Sequence, residues 1–165
     1  MADTFITYYQ SPAGLMLIAG TPGYISRVHF VKNGEAGPPA SAQPPALLLQ
    51  CTEQLIQYFN GSRRQFELPV HQPGTPFQQE TWNLLTNIPF GKTISYLQLA
   101  IQTGDPKATR AVANANSKND VAVIIPCHRV IGSNGELTGY AGGLWRKRWL
   151  LEHETKIAWG VQTLF

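Results

Sequence analysis

Apolar and polar positions alternate along the first part of the chain in the manner of β-strands. Residues 5–10 and 15–31 are rich in Ile, Val, Tyr and Phe and are broken by turn residues, which predicts an antiparallel meander. Residues 33–45 carry two Pro-Pro pairs and predict an irregular loop. Apolar residues recur on one helical face in residues 46–59, and alternation at 66–70 predicts one more strand. We therefore expect a small α+β module at the start of the chain.

Two capping boxes mark a change to helical spacing after a linker at residues 71–74. Thr75 is paired with Gln78 and Ser95 with Gln98, a spacing that lets each pair satisfy the free N–H groups of a helix start. Apolar residues at helical spacing follow the first box and predict a helix with one buried face.

A third helix follows closely and gives the second and third helices the form of a helix-turn-helix. Gly104 ends the short second helix, and Asp105-Pro106 starts the next one, which we expect to run to about Asn116. Two short helices joined by a tight turn with glycine are typical of DNA-binding helix-turn-helix motifs. A plain pair of antiparallel helices is the alternative.

The end of the chain combines a loop, a helix and a short tail. Residues 138–143 are rich in glycine and predict a flexible loop without the spacing of a phosphate-binding loop. Residues 144–154 predict a final helix, followed by a tail or packing segment that includes Trp159 and Phe165. We expect three consecutive basic residues of the final helix to face solvent or phosphate: Arg146, Lys147 and Arg148.

Length, charge and cysteine content narrow the class of protein. The 165 residues allow one domain or two small ones, and no run is long or apolar enough to span a bilayer. Basic and acidic residues cancel up to Gly74, so the whole net charge of +3 lies in the second part, a weak indication of a polyanionic partner. The start lacks the pattern of a secretory signal, and only two cysteines occur, without zinc-ligand spacing. We expect a reduced, cytoplasmic protein.

The segment from Ile124 to Ile131 is the first candidate for chemistry, because a cysteine and a histidine stand side by side between two apolar runs. The runs predict buried strand, which would hold Cys127 and His128 on a rigid element. A neighbouring imidazole is a common means of generating thiolate, the reactive form of cysteine. Inert core filling is the alternative, because free cysteines are among the most buried residues.

The third predicted helix is nearly bare of bulky side chains and carries positive charge. Small residues allow a helix to approach another surface closely, and cations suit a phosphate backbone. The alternative is a helix packed tightly within its own domain, with Arg110 in a surface salt bridge. The small residues are Ala108, Ala111, Ala113 and Ala115, and the basic ones are Lys107, Arg110 and Lys118.

Five motifs of the second part follow one another in a distinctive order and spacing. They are Arg110-Ala111-Val112, Asn119, Ile125-Pro126-Cys127-His128-Arg129-Val130, Gly139-Tyr140-Ala141-Gly142-Gly143 and Leu150-Leu151-Glu152-His153-Glu154. This combination resembles the O6-alkylguanine-DNA alkyltransferases, strongly from about Thr75 to Glu154 and more weakly in residues 11–15. The resemblance implies an α+β fold, with a ribonuclease H-like support domain at 1–72 and a winged helix-turn-helix domain at 73–165.

The resemblance implies a chemistry for the cysteine and its neighbours. Cys127 would accept an alkyl group from O6 of a damaged guanine, His128 would take the thiol proton through a water, and Glu154 would orient and polarise His128. This is a nucleophile, a base and an orienting carboxylate. The thioether product has no water-labile bond, so the protein would act once, and no cofactor is implied.

The resemblance also implies how duplex DNA is held, by a monomer that works from the minor groove. The guanine must leave the base stack, and Arg110 would fill the gap that it leaves while the Ala-rich helix lies in the minor groove. Tyr96 would stack near the base and donate a hydrogen bond to a ring nitrogen. Backbone groups of Cys127, Val130 and Ala141 would contact the guanine amino group and O6. Asn119 would tie the helix-turn-helix to the active-site strand, and contacts to DNA or the base are implied for Asn119, Tyr140, Lys107 and Lys118.

Departures from the family pattern concern DNA affinity more than chemistry. Asp120 stands where the family often has proline, and we expect its charge to weaken DNA binding by about 1 kcal/mol. Residues 113–117 replace a pattern richer in glycine, and the metal-ligand cysteines near the start of some relatives are absent, so no zinc is expected. Other functions left open are a lesion-binding protein that transfers nothing, a cysteine hydrolase and a winged-helix regulator.

Overall fold

The structure is a computed structural model that describes residues 4–160, and its contacts divide the chain into two units. The first unit holds the residues up to Gln72 together with the segment Asp120–Ile124. The second unit holds Pro73–Asn119 and the residues from Ile125 onward. The chain therefore leaves the second unit for five residues just before the cysteine-histidine pair.

The first unit is the predicted α+β module. An antiparallel sheet in the order β1-β2-β3 consists of β1 (Phe5–Ser11), β2 (Gly14–Gly20) and β3 (Ile25–Phe30), and α1 (Ala46–Phe59) packs against all three strands. The alternation of apolar residues in the strands and their helical spacing in α1 place one face of each element in a shared core. Its fully buried side chains include Met16, Ile18, Ile25, Val28, Leu48, Cys51, Leu55, Tyr58 and Val121.

The strand predicted at residues 66–70 is wrong. Only Val70 pairs, in an isolated parallel bridge with Ile25. Pro69 lacks an N–H group and contributes only its carbonyl, which accepts from the Ile25 N–H at 2.8 Å, and the Ile25 carbonyl accepts from His71 at 2.9 Å. The alternation of apolar residues therefore reflects packing of an extended segment that makes too few backbone pairs to count as a strand.

Both predicted capping boxes are present in the second unit. In each box the cap side chain accepts from the backbone N–H of the glutamine, and the glutamine side chain accepts from the backbone N–H of the cap. Its helices are α2 (Pro76–Thr86), α3 (Tyr96–Gln102) and α4 (Thr109–Ser117), the last preceded by a single 3-10 turn at Pro106–Ala108. Helices α3 and α4 pack together around a turn at Gly104 as predicted for a helix-turn-helix. The indole N–H of Trp82 donates to the Ala115 carbonyl at 2.9 Å and ties α2 to α4.

Helix α5 (Leu144–Trp159) is longer than the predicted 144–154. Trp159 was expected in a tail or a short packing segment after the helix; it instead closes the helix, where its indole N–H donates to the Gly91 carbonyl at 2.9 Å. Gly160 then ends the helix with a left-handed φ of 69°. The prediction for Phe165 lies outside the described residues. Within residues 4–160, no helix has the length and apolar character needed to cross a membrane.

Candidate active site

The cysteine-histidine pair lies on a turn. The segment before the pair was predicted to be a strand, and it is bent instead. Cys127–Arg129 form a 3-10 turn that follows a tight bend at Pro126, with φ −81° and ψ 65°. In this bend the Cys127 N–H donates back to the Ile125 carbonyl at 2.8 Å, the bond of an inverse γ-turn. The residues after the turn do form a short strand, β5 (Val130–Ile131), which pairs in parallel with β4 (Ile94–Ser95).

The segment before the pair is also bent. Val123 has φ 69°, a left-handed value that a β-branched residue adopts rarely, and the Ile124 N–H donates to the Ala122 carbonyl at 2.8 Å across it. Burial of the apolar run was predicted correctly, but its conformation was not. A strained bend of this kind costs on the order of 1–3 kcal/mol and persists only where its surroundings enforce it.

A buried carboxylate on α5 joins two residues of the 3-10 turn. Glu154 is 1% exposed, and its Oε2 lies 2.6 Å from Nε2 of His128, which is fully buried. Arg129 grips both carboxylate oxygens, with Nε donating to Oε1 at 2.8 Å and Nη2 donating to Oε2 at 3.1 Å. The Gly91 N–H adds a longer bond to Oε1 at 3.3 Å. The structure therefore brings the predicted base and its orienting carboxylate together.

The charges in this cluster favour an ionised carboxylate beside a neutral imidazole. Burial alone raises the pKa of Glu154, but His128, through its charge whenever it is protonated and through its hydrogen bond, and then Arg129 hold that pKa well below its usual range. Burial lowers the pKa of His128, Glu154 opposes the change, and the charges of Arg129 and Lys147 add to it. An ionised carboxylate on Nε2 requires the proton there, so Nδ1 of a neutral His128 is the acceptor.

Cys127 lies close to the same cluster and is 7% exposed. Burial raises the pKa of its thiol, while a hydrogen bond from the Asn119 side chain and the charge of Lys147 act in the opposite direction. The Cys127 carbonyl accepts from Nδ2 of Asn116 at 3.3 Å, and Nδ2 of Asn119 donates to the Ile125 carbonyl at 3.0 Å. Asn116 in the last turn of α4 and Asn119 just beyond that helix therefore hold the backbone around the cysteine.

Lys147 does not face solvent, so that prediction is wrong for it. Its side chain is fully buried, and its Nζ donates to the Thr138 carbonyl at 2.8 Å and lies 3.5 Å from the Tyr96 hydroxyl. Burial lowers the pKa of Lys147 to about 8, although the nearby Cys127 acts to raise it. The Tyr96 hydroxyl donates to the Thr138 carbonyl at 3.2 Å. Tyr96, Lys147 and the loop that contains Thr138 therefore form one polar cluster.

The other two basic residues at the start of α5 divide between burial and exposure. Arg146 was also predicted to face solvent, but it is 7% exposed, donates to the Gly142 carbonyl at 2.9 Å, and stacks 4.4 Å above the Trp145 ring. Its aliphatic stem and planar head favour this packing over free solvation. Arg148 is exposed as predicted.

Three buried polar atoms of the site have no hydrogen-bond partner among the described residues: Nδ1 of His128, Oδ1 of Asn116 and the hydroxyl of Tyr140. Burial, followed by the charges of Cys127 and Glu154, raises the pKa of Tyr140 well above its usual value. Buried polar groups are normally paired, and unpaired ones often mark a functional site.

A groove of about 820 Å³ runs along one face of α4, and we call it the α4 groove. Its lining includes three of the predicted DNA or base contacts, and Arg110 among them is exposed. Of the other predicted contacts, Lys118 and Ala141 are exposed elsewhere and Val130 is fully buried. Cys127 is not a lining residue. The groove is lined by Tyr96, Lys107, Thr109, Arg110, Ala113, Ser117, Thr138 and Gly139.

The sequence reasoning missed Arg129, Lys147 and Asn116 as members of the site. A signal for Lys147 was available, because positions 147, 150, 151 and 154 follow the i, i+3, i+4, i+7 spacing of a buried helical face. A lysine and a glutamate on that face, with leucines between them, indicate that both charges are buried. No comparable pattern marks Asn116.

No group of three or more His, Cys, Asp or Glu side chains within residues 4–160 is arranged to hold a metal ion.

Known proteins resemble this chain over most of its length. The profile of the 6-O-methylguanine DNA methyltransferase DNA binding domain matches residues 76–156, and that of the ribonuclease-like domain of the same proteins matches residues 4–72. A methylated-DNA–protein-cysteine methyltransferase of Methanosarcina acetivorans is 40% identical over 152 residues, which cover 91% of this chain and 97% of the relative.

Solved structures of similar proteins share the fold over nearly the whole chain. The Mycobacterium tuberculosis O6-methylguanine methyltransferase is 38% identical with a TM-score of 0.83, covering 93% of this chain and 94% of that one. The Mycobacterium tuberculosis OGT in complex with DNA is 39% identical with a TM-score of 0.82, covering 91% and 92%. The chain therefore belongs to the 6-O-methylguanine DNA methyltransferase family.

Proposed function

We propose that this chain repairs alkylated DNA by moving the alkyl group from O6 of a guanine onto Sγ of Cys127. The observation that carries the proposal is the buried array of Cys127, His128 and Glu154, in which Glu154 holds Nε2 of His128 and Nδ1 has no hydrogen-bond partner among the residues that the structure describes. The names of the relatives support alkyl transfer from DNA to a cysteine, and a similar protein has been crystallised with DNA.

The chemistry requires a base because burial raises the pKa of the Cys127 thiol. Nδ1 of His128 accepts the thiol proton, directly or through a water, and the imidazolium is stabilised by Glu154. The sulfur then forms a bond to the alkyl carbon while the bond from that carbon to O6 breaks. The electron pair leaves with the guanine, so thiol and alkylated base become thioether and ordinary guanine.

The leaving guanine must regain a proton, and Tyr96 is placed to assist. In the structure its hydroxyl proton is directed at the Thr138 carbonyl, and Lys147 lies beside the hydroxyl oxygen. We propose that the base takes the place of Thr138 and receives this hydrogen bond on a ring nitrogen as negative charge develops. Lys147 can donate a hydrogen bond to the hydroxyl oxygen as the tyrosine proton moves toward the base, and the proton that His128 takes from the thiol balances the one that the guanine receives.

The base reaches the cysteine only after it leaves the duplex, because O6 of a stacked guanine is out of reach of a side chain held in a buried turn. We assign Arg110 to the gap in the stack and the α4 groove to the minor-groove side of the DNA. The small side chains of α4 favour close approach, and Lys107 and Lys118 are exposed for phosphate contacts. We propose that the chain acts as a monomer.

The reaction should occur once for each molecule, because water does not hydrolyse a thioether. The decisive test is the mass of the intact protein after incubation with duplex DNA that carries O6-methylguanine. We expect a permanent gain of one CH₂ group, located on Cys127. The matched control is Cys51→Ala, since burial in α1 raises the pKa of that thiol to about 12 and makes it inert.

Two outcomes would contradict the proposal. Removal of the methyl group by a Cys127→Ala variant would exclude this sulfur as the acceptor. Binding of the damaged DNA with no gain in mass would favour a lesion-binding protein that transfers nothing. The flipping role has its own test, in which Arg110→Ala slows transfer from duplex DNA much more than reaction with free O6-benzylguanine, and equal losses on both would exclude it.

A further inference from the structure

Glu154 is shared between an imidazole and a guanidinium, and the guanidinium makes the larger number of hydrogen bonds to it. Arg129 donates to both oxygens of the carboxylate, at 2.8 and 3.1 Å, whereas His128 meets only Oε2, at 2.6 Å. All three side chains are 7% exposed or less. A buried bidentate ion pair between an arginine and a carboxylate is among the strong side-chain interactions in proteins.

The position of Arg129 is fixed from its other side. Nη1 donates to the Ile88 carbonyl at 2.7 Å, and the guanidinium lies 5.7 Å from the centre of the Phe90 ring. These contacts come from the segment between α2 and β4, while the carboxylate comes from α5. The arginine is therefore held in one orientation, with its fork toward Glu154, and cannot follow a different partner.

The sum of charges in this pocket depends on His128. With a neutral imidazole, the guanidinium and the carboxylate cancel. A protonated imidazole would leave one uncompensated positive charge in a buried place, which is costly. The other titratable groups that face the pair add to this cost or leave it unchanged. They are Lys147 on α5, Cys127 on the same turn and Tyr140 on the glycine-rich loop.

We infer that Arg129 is a positioning residue that neutralises Glu154 and thereby keeps His128 an uncharged proton acceptor in the resting protein. Glu154 alone beside His128 would draw a proton onto the imidazole and occupy the base before the thiol needs it. With Arg129 present, Glu154 still fixes the tautomer through Nε2 while its charge is already balanced. The inference rests on the proposed function, in which Nδ1 of His128 accepts the thiol proton.

The test follows the protonation of His128 by NMR of the imidazole nitrogens across a pH series, in the full-length protein without DNA. Arg129→Gln removes the positive charge and should raise the pH at which His128 is half protonated by about one unit or more, because a carboxylate within hydrogen-bond distance is then unopposed. Arg129→Lys retains the charge, so the pH at which His128 is half protonated should return most of the way to the wild-type value. Lys156→Gln is the matched control, since Lys156 is exposed two residues beyond Glu154.

A second pair of variants separates charge from structure. In Glu154→Gln the guanidinium is unopposed, so His128 should protonate at the lowest pH of the series. The double variant Arg129→Gln/Glu154→Gln should return close to the wild type, because both charges are gone. If Arg129→Gln alone does not fold, the double variant compared with Glu154→Gln still carries the test, and loss of Arg129 must raise the protonation pH there too.

The same series separates this inference from the function on which it rests. As the pH is lowered, the rate of alkyl transfer falls when His128 becomes protonated. In Arg129→Gln this fall should begin at a higher pH, by the same amount as the shift seen in the NMR titration. An unchanged His128 titration in Arg129→Gln, or a double variant that behaves like Arg129→Gln alone, would overturn the role of Arg129. Failure of the wild-type protein to gain mass on Cys127 would instead overturn the proposed function and leave the titration result standing.

Discussion

Replacement of Lys147 by methionine should alter stability in a way that depends on pH. Lys147 is fully buried, and burial lowers its pKa from 10.5 to about 8. A change of that size corresponds to about 3 kcal/mol spent on keeping the ammonium charged inside the folded protein below that pH. Methionine has similar length and flexibility and carries no charge, so Lys147→Met removes this cost.

The direction follows from proton binding. Between about pH 8 and 10.5 the unfolded chain holds the lysine proton and the folded chain does not, so the stability of the wild type rises with pH in that window. The variant lacks this rise. The difference in unfolding free energy, wild type minus variant, should therefore increase by about 2 kcal/mol from about pH 7 to about pH 9.5. Lost bonds to Thr138 and Tyr96 add an offset that is nearly constant.

Urea unfolding followed by tryptophan fluorescence is a suitable assay, because all four tryptophans lie in the second unit with Lys147. A Cys127→Ala background removes the titration of the neighbouring thiol from the comparison. Lys156→Met is the matched control, since it removes an exposed lysine from the same helix. A Lys147→Met difference that is constant within about 0.5 kcal/mol would refute the reasoning.

Three further changes test other contacts. Asn116→Ala should slow transfer from duplex DNA by about threefold to tenfold through loss of the bond to the Cys127 carbonyl, whereas the exposed Asn114→Ala on the same helix should not, in single-turnover assays. Trp82→Phe should destabilise the second unit by about 1–2 kcal/mol in urea, because the Ala115 carbonyl loses its buried donor; an unchanged midpoint would count against that bond. Gly91→Ala should lower the melting temperature more than Gly104→Ala. Both glycines have positive φ, but an added Cβ at Gly91 would lie only 2.6 Å from Cβ of Ala158, whereas one at Gly104 would meet no atom within 4 Å.

The helices of the second unit were predictable because their signals are local. Each capping box lies within four residues, and both form as expected, with Thr75 and Ser95 as the caps. The meander of the first unit follows from alternation and turn residues in the same way. The family resemblance then located the cysteine, the histidine and the carboxylate, of which the last two meet in the structure.

The bends before the cysteine were not predictable, because valine and isoleucine favour extended backbone, whereas Val123 has a left-handed φ of 69°. Long-range contacts impose that conformation, and a single sequence does not display them. The burial of Lys147 was missed for a related reason. Adjacent basic residues at 146–148 resemble a solvated face, and only the position of Lys147 relative to Glu154 reveals that it belongs to the buried side of α5.

The return of Asp120–Ile124 to the first unit has a consequence for synthesis on the ribosome. The Val28 N–H donates to the Asp120 carbonyl at 2.9 Å, and the Ala122 N–H donates to the Val28 carbonyl at 2.8 Å. These partners are made about 50 residues after Gln72, a delay of roughly 3–10 s at ordinary translation rates. During that interval the nascent sheet exposes the outer edge of β3, so aggregation or chaperone capture should be greatest for chains stalled before residue 124.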